Sequence, residues 1–280
     1  MQNWHARLEL EFTSGHAGKT VLSNKRHEGP LLVQKVLYPE GVNTCHAAIL
    51  HPPSGIAGGD QLNINVQVQE NAHAVINTPG ATRWYKANGQ ASTQSVVLNV
   101  NENARLDWLP QENIIFEDAN ATAQTTITLS SGARTVGWEI VQLGSVCTDG
   151  HWRSGQVNVD LRLTLDGRLL WVDTGQLTAI HPLRECQSGL AHFPVTATLW
   201  AFGPKLAEEI CEEISLLLPW HDTLRAGFTQ IPTNNNQALG LIRVLGRHAQ
   251  DVRELLIAQW ALLRPLVLGV SSKPVRLWAT

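Results

Sequence analysis

The sequence predicts a mainly β protein, in which stacked β-hairpins form a solenoid-like body and an α+β segment with two helices caps it. Apolar and polar residues alternate strictly over residues 62–68, which is the period of a half-buried strand. Strand–turn–strand units then recur up to residue 173 at a spacing of roughly 30 residues, within the range of stacked repeats. We therefore expect each unit to bury one face against the next.

The repeated units are defined by their turns. They join residues 62–68 to 73–77, 95–100 to 105–109, 125–129 to 134–141 and 157–165 to 168–173. The first three turns contain Asn-Ala or Gly-Ala, and the last is Asp166-Gly167, the only one that is a strong hairpin signal by itself. An ordinary β-sandwich with similar hairpins remains the alternative.

After residue 200 the pattern of apolar residues changes from strand-like alternation to helical spacing. Residues 207–218 place Ile210, Ile214, Leu217 and Leu218 at helical spacing opposite a row of glutamates, and residues 251–263 repeat the pattern. A strand is predicted at 239–245, and residues 274–280 are compatible with a last strand. We expect a β-rich body over 1–200 and an α+β cap over 201–280, packed as one structural unit.

Charge and hydropathy exclude several classes of protein. The net charge is −3 and basic residues form no run, which argues against nucleic acid as a partner. The N-terminal residues lack the apolar region of a secretory signal, and the most apolar stretch, 255–270, is interrupted by Gln259, Arg264 and Pro265. We expect a cytoplasmic protein without membrane attachment, in which 255–270 is a core helix.

The cysteines indicate neither a disulfide framework nor a zinc site. They are widely spaced and contain no C-x-x-C pair, so buried free thiols are expected. The residues are Cys45, Cys147, Cys186 and Cys211.

A glycine-rich segment at residues 51–60 resembles a phosphate cradle but lacks its lysine, and an alternating strand follows it instead of a helix. The glycines Gly55, Gly58 and Gly59 therefore lie between strands. There they permit φ > 0 or the close approach of another backbone. The segment is expected to form a fixed turn that presents Asp60.

Histidines offer no joint metal site by sequence. His46 and His51 belong to a strand predicted over 44–50 and its end, and their side chains should point to opposite faces. A structural or surface role is the default for His46, His51 and His73. Any metal site must recruit distant segments.

Carboxylates near predicted loops leave a hydrolase open as the alternative function. A carbohydrate-active or metal-dependent hydrolase would need two of them within about 5–10 Å. Solvated turn residues are the common explanation for such acids, and neither a G-x-S-x-G elbow nor an H-E-x-x-H helix is present. The acids are Asp60, Asp107, Glu112, Glu117 and Asp118.

Two further segments are predicted to be presented at the surface. Pro79-Gly80 forms a turn before Arg83, Trp84, Tyr85 and Lys86, a mixture of cations and aromatic residues that is enriched at interfaces. An ordinary surface patch explains this mixture equally well. Pro110 marks a strand end or bulge after Trp108, because proline has no N–H for a sheet ladder.

These segments together resemble the urease accessory protein D family, called H in some bacteria. The motifs are His51-Pro52-Pro53 with Gly55, Gly58, Gly59 and Asp60, then Pro79-Gly80-Ala81 with Tyr85, then Trp108-Leu109-Pro110-Gln111 with Phe116. The likeness extends from residues 29–35 through 38–41 to 263–265 and 276–278, and so covers nearly the whole chain. Ser54, where the family usually has Gly, and Arg83, where Lys is common, are departures.

The resemblance implies a non-enzymatic urease maturation factor. It implies a cytoplasmic scaffold that docks on apo-urease and, with accessory proteins F and G, supports GTP-dependent nickel insertion, the GTPase activity belonging to G. No cofactor is expected to bind tightly, and nickel is expected only in transit, with Asp60, His46 and His51 as weak candidates for contacts.

We expect Asp60 to line an internal polar route or to support a partner surface, with Arg83, Tyr85 and Glu112 as second-rank candidates. The full set of candidate residues for the route or the interface is His51, Pro52, Gly55, Gly58, Gly59, Asp60, Pro79, Gly80, Arg83, Tyr85, Trp108, Gln111 and Glu112.

Overall fold

Two β-sheets face each other across an apolar core, and a computed structural model describes residues 3–145, 151–233 and 236–279. The strands within these ranges are β1 (His5–Ser14), β2 (Thr20–Glu28), β3 (Leu32–Val33), β4 (Cys45–Leu50), β5 (Gly55–Ile56), β6 (Gln61–Val68), β7 (His73–Asn77), β8 (Thr82–Trp84), β9 (Ser92–Val100), β10 (Arg105–Leu109), β11 (Asn113–Ile115), β12 (Asn120–Leu129), β13 (Arg134–Leu143), β14 (Gln156–Leu165), β15 (Arg168–Thr178), β16 (Val195–Pro204), β17 (Leu224–Pro232) and β18 (Gln237–Gly246). The helices are α1 (Glu208–Leu216) and α2 (Ala249–Leu268).

The described strands form one sheet of seven and one of eleven. The first has the order β15-β14-β12-β9-β6-β1-β2. The second has the order β17-β18-β16-β13-β10-β7-β4-β3, with the short strands β11, β8 and β5 as a branch. The predicted mainly β, solenoid-like class with two helices is confirmed.

Parallel pairing between successive units makes the fold a solenoid. In the first sheet β6, β9, β12 and β14 pair in parallel, each with the next. In the second sheet β4, β7, β10 and β13 do the same. Each coil thus contributes one strand to each sheet and stacks on its neighbour.

The pairing within the first three units differs from the predicted hairpins. The two strands of each unit belong to opposite sheets, so the turn between them is a corner of the coil. At these corners Asn71, Asn103 and Gly132 have φ of 60°, 55° and 71°. The alanine that follows each is fully buried. Asn-Ala and Gly-Ala therefore supply a left-handed backbone and a small inward side chain, which a corner needs as much as a hairpin does.

The fourth unit is a true hairpin. Asp166 and Gly167 have φ of 48° and 75°, and β14 and β15 pair antiparallel from Leu165 and Arg168 onward. Positive φ at both central residues is the requirement of a type I′ turn. The prediction from Asp166-Gly167 is confirmed.

Alternation along the strands divides the protein into two apolar layers. Leu62, Ile64, Val66 and Val68 of β6 point into the layer between the two sheets. Residues of opposite parity on the second sheet, such as Val136 of β13, pack against the two helices instead. The second sheet is therefore buried on both faces, which suits its parallel strands.

Helix α2 ends in a turn that contains Pro265, which confirms a core helix at this position. Proline has no N–H, so the carbonyl of Ala261 lacks its helical partner. The hydroxyl of Ser272 donates to that carbonyl at 3.3 Å. Gly269 closes the helix with φ 71°. Within the described residues no helix is long and apolar enough to cross a membrane.

Two sequence predictions in the cap were wrong. Residues 276–279 form a 3₁₀ helix instead of a last strand, and Trp278 packs there against Trp138 and Trp260 with ring centroids 5.7 and 5.3 Å apart. Leu217, assigned to the inner face of α1, is 64% exposed and follows the end of α1 at Leu216. The predicted strand at 239–245 is confirmed as β18.

Of the cysteines, Cys45, Cys186 and Cys211 are free, and only Cys45 is fully buried. Cys147 lies outside the described residues.

Candidate functional site

A cavity of about 290 Å³ lies between the two sheets and opens at one side of the solenoid. Its rim comes from residues within 49–54, 78–82 and 108–113. Its floor comes from strand residues that include Ile64, Val96 and Thr125 of the first sheet and Glu139 of the second. A mixture of apolar walls and a few polar groups is typical of binding sites.

The glycine-rich segment is held against the segment 83–87 by close backbone packing. A Cβ on Gly58 would lie 1.7 Å from the carbonyl oxygen of Ala87, and one on Gly55 would lie 2.1 Å from the Tyr85 ring. Gly59 has φ 91°. The glycines are therefore required for close approach and for a left-handed backbone, as the sequence predicts.

Short parallel strands connect this segment to the rest of the rim. Strand β5 pairs with β8, and β8 pairs with β11, which in turn pairs with β13. The N–H of Tyr85 donates to Ile56 at 2.8 Å. The three motif segments thus form one rigid frame around the cavity.

Asp60 fixes the turn from inside and does not line the cavity. It is 4% exposed, and its two carboxylate oxygens accept hydrogen bonds of 2.8 Å from the N–H groups of Trp4 and Ala57. Both contacts are structural, since they satisfy backbone donors of neighbouring loops. The alternative that Asp60 supports a surface stays a prediction.

Glu139 is the carboxylate that the structure places in the cavity. Burial raises the pKa of Glu139 to about 7, and the charge of Asp173 acts in the same direction, whereas a hydrogen bond with Thr125 opposes both. Part of its surface remains accessible inside the cavity. A carboxyl with this pKa exchanges its proton near neutral pH.

His51 lies on the cavity wall. Its Nε2 is buried and has no hydrogen-bond partner among the described residues. Burial lowers the pKa of His51, although the charge of Asp60 opposes the shift. A neutral imidazole with an unpaired nitrogen is a competent ligand for a borderline cation.

The sequence-predicted candidates divide into two groups. One group lines the cavity: His51, Pro52, Pro79, Gly80, Trp108 and Gln111. The other supports the rim or faces outward: Gly55, Gly58, Gly59, Asp60, Arg83, Tyr85 and Glu112. Glu139 was missed. The signal for it is a lone acid inside an apolar strand, since glutamates are rarely buried without a reason.

The segment after the Pro79-Gly80 turn presents three of its four predicted residues. Arg83 and Lys86 are exposed, and Tyr85 is 41% exposed and stacks on Phe116 with centroids 5.4 Å apart. Trp84 is fully buried, because its strand directs it inward and its Nε1 donates to Asn113 at 3.0 Å.

Behind the second sheet, Asp107 is the centre of a buried ion network. Its Oδ1 accepts from Nε1 of Trp260 at 2.7 Å and from Nε of Arg264 at 3.0 Å. Its Oδ2 lies 2.8 Å from Nε2 of His73. Burial opposes ionisation, but His73, Arg264 and Trp260 together hold the pKa of Asp107 below its ordinary value.

Glu40 extends this network. It accepts from Nη1 of Arg264 at 2.7 Å, and its other oxygen lies 2.8 Å from Nε2 of His46. His46 therefore points away from the cavity while His51 lines it, so the two side chains face opposite ways, as strand alternation predicts. The whole network is structural: it ties α2 to β4, β7 and β10.

The remaining hydrolase candidates each have a partner of their own. Glu112 contacts Arg253, and Asp118 pairs with Lys86. Glu117 accepts from the N–H groups of Arg153 and Ser154. None of the five predicted acids lines the cavity. In the described part of the chain, no group of three or more His, Cys, Asp or Glu is placed to hold a metal ion.

The fold and site together define a β-solenoid protein with a framed internal cavity. The model of the UreD urease accessory protein family matches residues 5–279. The chain is 52% identical over 280 residues to "Urease accessory protein UreD" of Bordetella pertussis, covering 100% of this chain and 99% of the relative. It is 46% identical over 277 residues to the protein of that name in Cupriavidus necator, covering 99% and 95%.

A more distant relative agrees. "Urease accessory protein UreD" of Polynucleobacter asymbioticus is 41% identical over 278 residues, covering 99% of this chain and 94% of the relative. The chain therefore belongs to the UreD urease accessory protein family, as its motifs predicted, and has a role in urease maturation.

Proposed function

We propose that this chain is a cytoplasmic maturation scaffold that docks on apo-urease and, with accessory proteins F and G, supports GTP-dependent nickel insertion. Family membership over almost the whole chain supports the assignment to urease maturation. In this proposal the chain is not an enzyme: hydrolysis of GTP belongs to G. The chain contributes surfaces and a path for the ion.

The cavity is the main structural support for the proposed passage of nickel. Glu139 at its floor and His51 on its wall offer one carboxylate and one imidazole, both of which suit a divalent first-row metal. Two scattered ligands hold an ion weakly, so that it can leave. Nickel is accordingly a cargo in transit, and no cofactor binds tightly.

Of the residues expected to touch nickel, His51 is the one that this proposal retains. Both Asp60 oxygens and Nε2 of His46 are already engaged by protein groups. Glu139 takes their place. At neutral pH a carboxyl with a pKa near 7 gives up its proton when a cation arrives and regains it when the cation leaves.

The outward-facing rim is the proposed docking surface. Arg83, Tyr85 and Lys86 are exposed beside the cavity mouth, and Nη1 of Arg83 donates to the hydroxyl of Ser54 at 3.5 Å. Aromatic residues and arginine are enriched at protein interfaces. A partner seated here would cover the mouth.

Co-expression tests this function. The tagged chain is produced with apo-urease and accessory proteins F and G, followed by pull-down and by urease activity with and without the chain. Co-purification and activity that depends on the chain are expected. Absence of both a complex and a dependence would overturn the proposal.

A further inference from the structure

Arg253 connects helix α2 to the rim of the cavity. Its Nη1 donates to Oε1 of Gln111 at 2.8 Å and lies 3.3 Å from Oε2 of Glu112. The partners are 142 and 141 positions away in the chain. The Arg253 side chain is 32% exposed and that of Glu112 only 13%. Hydrogen bonds with an ionised donor are short and strong, so this contact restrains the segment it holds.

The segment held by Arg253 is bonded across the cavity mouth. The N–H of Gln111 donates to the hydroxyl of Thr78 at 2.8 Å, and the N–H of Thr82 donates to the carbonyl of Glu112 at 2.9 Å. Thr78, Thr82 and Gln111 all line the cavity. Residues 78–82 and 110–113 therefore move together, and Arg253 anchors them from behind.

A second arginine of α2 contacts the same segment. Arg264 holds Asp107, at the other end of the segment 107–112. Arg253 and Arg264 are separated by eleven residues, about 16 Å along a helix. Asp107 and Glu112 are separated by five residues, also about 16 Å along an extended chain. The matching lengths let the helix hold both ends of the segment.

The segment needs this support because Pro110 interrupts the sheet ladder. Strand β10 ends at Leu109 and β11 begins at Asn113, so residues 110–112 lie outside both strands. The carbonyl of Pro110 also accepts a hydrogen bond of 2.8 Å from Nε1 of Trp138 on β13.

We propose that Arg253 is a positioning residue that fixes the width of the cavity mouth through Gln111 and Glu112. Its part in nickel delivery rests on the proposed function, whereas its hold on the rim does not. Removal of the guanidinium frees residues 110–112 and, through their hydrogen bonds, residues 78–82. The entrance then loses its defined shape while the solenoid core is unaffected.

Hydrogen exchange on the purified full chain tests the structural step. In Arg253→Met, the amides of Gln111 and Thr82 are expected to exchange about tenfold faster, the factor that corresponds to loss of one charge-assisted hydrogen bond. Protection of β13 should stay unchanged, which shows that the variant folds. Arg162→Met, which removes an arginine paired with Asp160 on the outer surface, is the matched control.

Exchange at the two rim amides equal to that of wild type, or an equal increase in Arg162→Met, would overturn the proposal. Arg253→Lys, which keeps one donor and the charge, should restore part of the protection. Glu112→Gln, which keeps the carbonyl acceptor but removes the charge, should give a smaller increase than Arg253→Met. An effect of Glu112→Gln as large as that of Arg253→Met would instead place the restraint on Glu112 alone and contradict a hold through Gln111.

Activation assays test the functional step. At limiting nickel, Arg253→Met is expected to co-purify with apo-urease as wild type does but to yield urease with several-fold less nickel. Full nickel loading of urease despite faster amide exchange at the rim would show that Arg253 has no role in nickel delivery. If the wild-type chain itself supports no activation, the proposed function fails, while the exchange result still decides the hold on the rim.

Discussion

Nε of Arg264 lies 3.0 Å from Oδ1 of Asp107, and both side chains are completely buried. This pair joins α2 to β10 of the second sheet. A buried ion pair adds little over apolar packing, but removal of one partner leaves an uncompensated charge. The pair therefore makes the position of α2 specific.

Asp107→Asn is expected to lower the free energy of unfolding by about 3–5 kcal/mol, because Arg264 then keeps only Glu40 as a buried counter-charge. Urea denaturation measures the change. Asp160→Asn removes an acid that pairs with Arg162 at the surface, and should cost less than about 1 kcal/mol. Equal effects of the two substitutions would contradict a structural role for the network.

Glu139 is expected to make the protein less stable as pH rises. Its pKa is raised from 4.5 to about 7, so the folded state binds more protons than the unfolded state between these values. By linkage its contribution is fully present below pH 4.5 and is lost as pH rises through 7, a change of about 3 kcal/mol.

Glu139→Gln should abolish that part of the pH dependence, as measured by urea denaturation at several pH values from 4.5 to 8. The pKa values of Glu40 and Asp107 in the ion network are lowered, so their contribution to the stability of the protein is lost only at more acid pH. An unchanged slope in Glu139→Gln would show that Glu139 ionises freely.

Alanine should destabilise the protein at one motif glycine and leave its stability unchanged at another. Gly58→Ala places a methyl group 1.7 Å from the Ala87 carbonyl, and is expected to cost about 2 kcal/mol or more, as overpacking does. Gly80→Ala meets nothing within 4 Å and should be nearly neutral. Thermal unfolding of both variants measures this. Comparable losses would mean that the close approach of the loops does not decide the requirement for glycine.

Asp60→Ala is expected to destabilise the N-terminal region by about 1–3 kcal/mol, because the backbone N–H groups of Trp4 and Ala57 each lose a hydrogen bond to a charged carboxylate. Asp60→Asn keeps one carbonyl acceptor and should cost less. Exchange of the Trp4 and Ala57 amides locates the effect. Wild-type protection at both amides in Asp60→Ala would refute a role for Asp60 as their acceptor.

The sequence predicted the stacking because its causes are local. Alternation sets which side chains face inward, and the spacing of corners sets the length of a coil. It did not distinguish a corner from a hairpin, since Asn71 and Asn103 supply the left-handed backbone that either turn needs. The difference lies in partners roughly 30 residues away along the chain, which a local pattern does not specify.

Only those parts of the candidate site that depend on local sequence were predicted. Glycines and prolines at the rim mark conformations that their own chemistry requires, so Gly58 and Pro110 could be found from sequence. Glu139 acquires its raised pKa from neighbours on other strands. Arg253 meets Gln111 across 142 positions. Contacts of this kind depend on the assembled fold.

Passage of nickel through the cavity is tested most directly by the nickel content of matured urease. The urease is matured with wild-type chain, Glu139→Gln or Asp160→Asn, at limiting nickel and equal co-purification with apo-urease. Passage of nickel through the cavity predicts full loading with wild type and Asp160→Asn, and a several-fold loss with Glu139→Gln. Full loading with Glu139→Gln in complexes of equal yield would contradict a nickel path past this carboxylate.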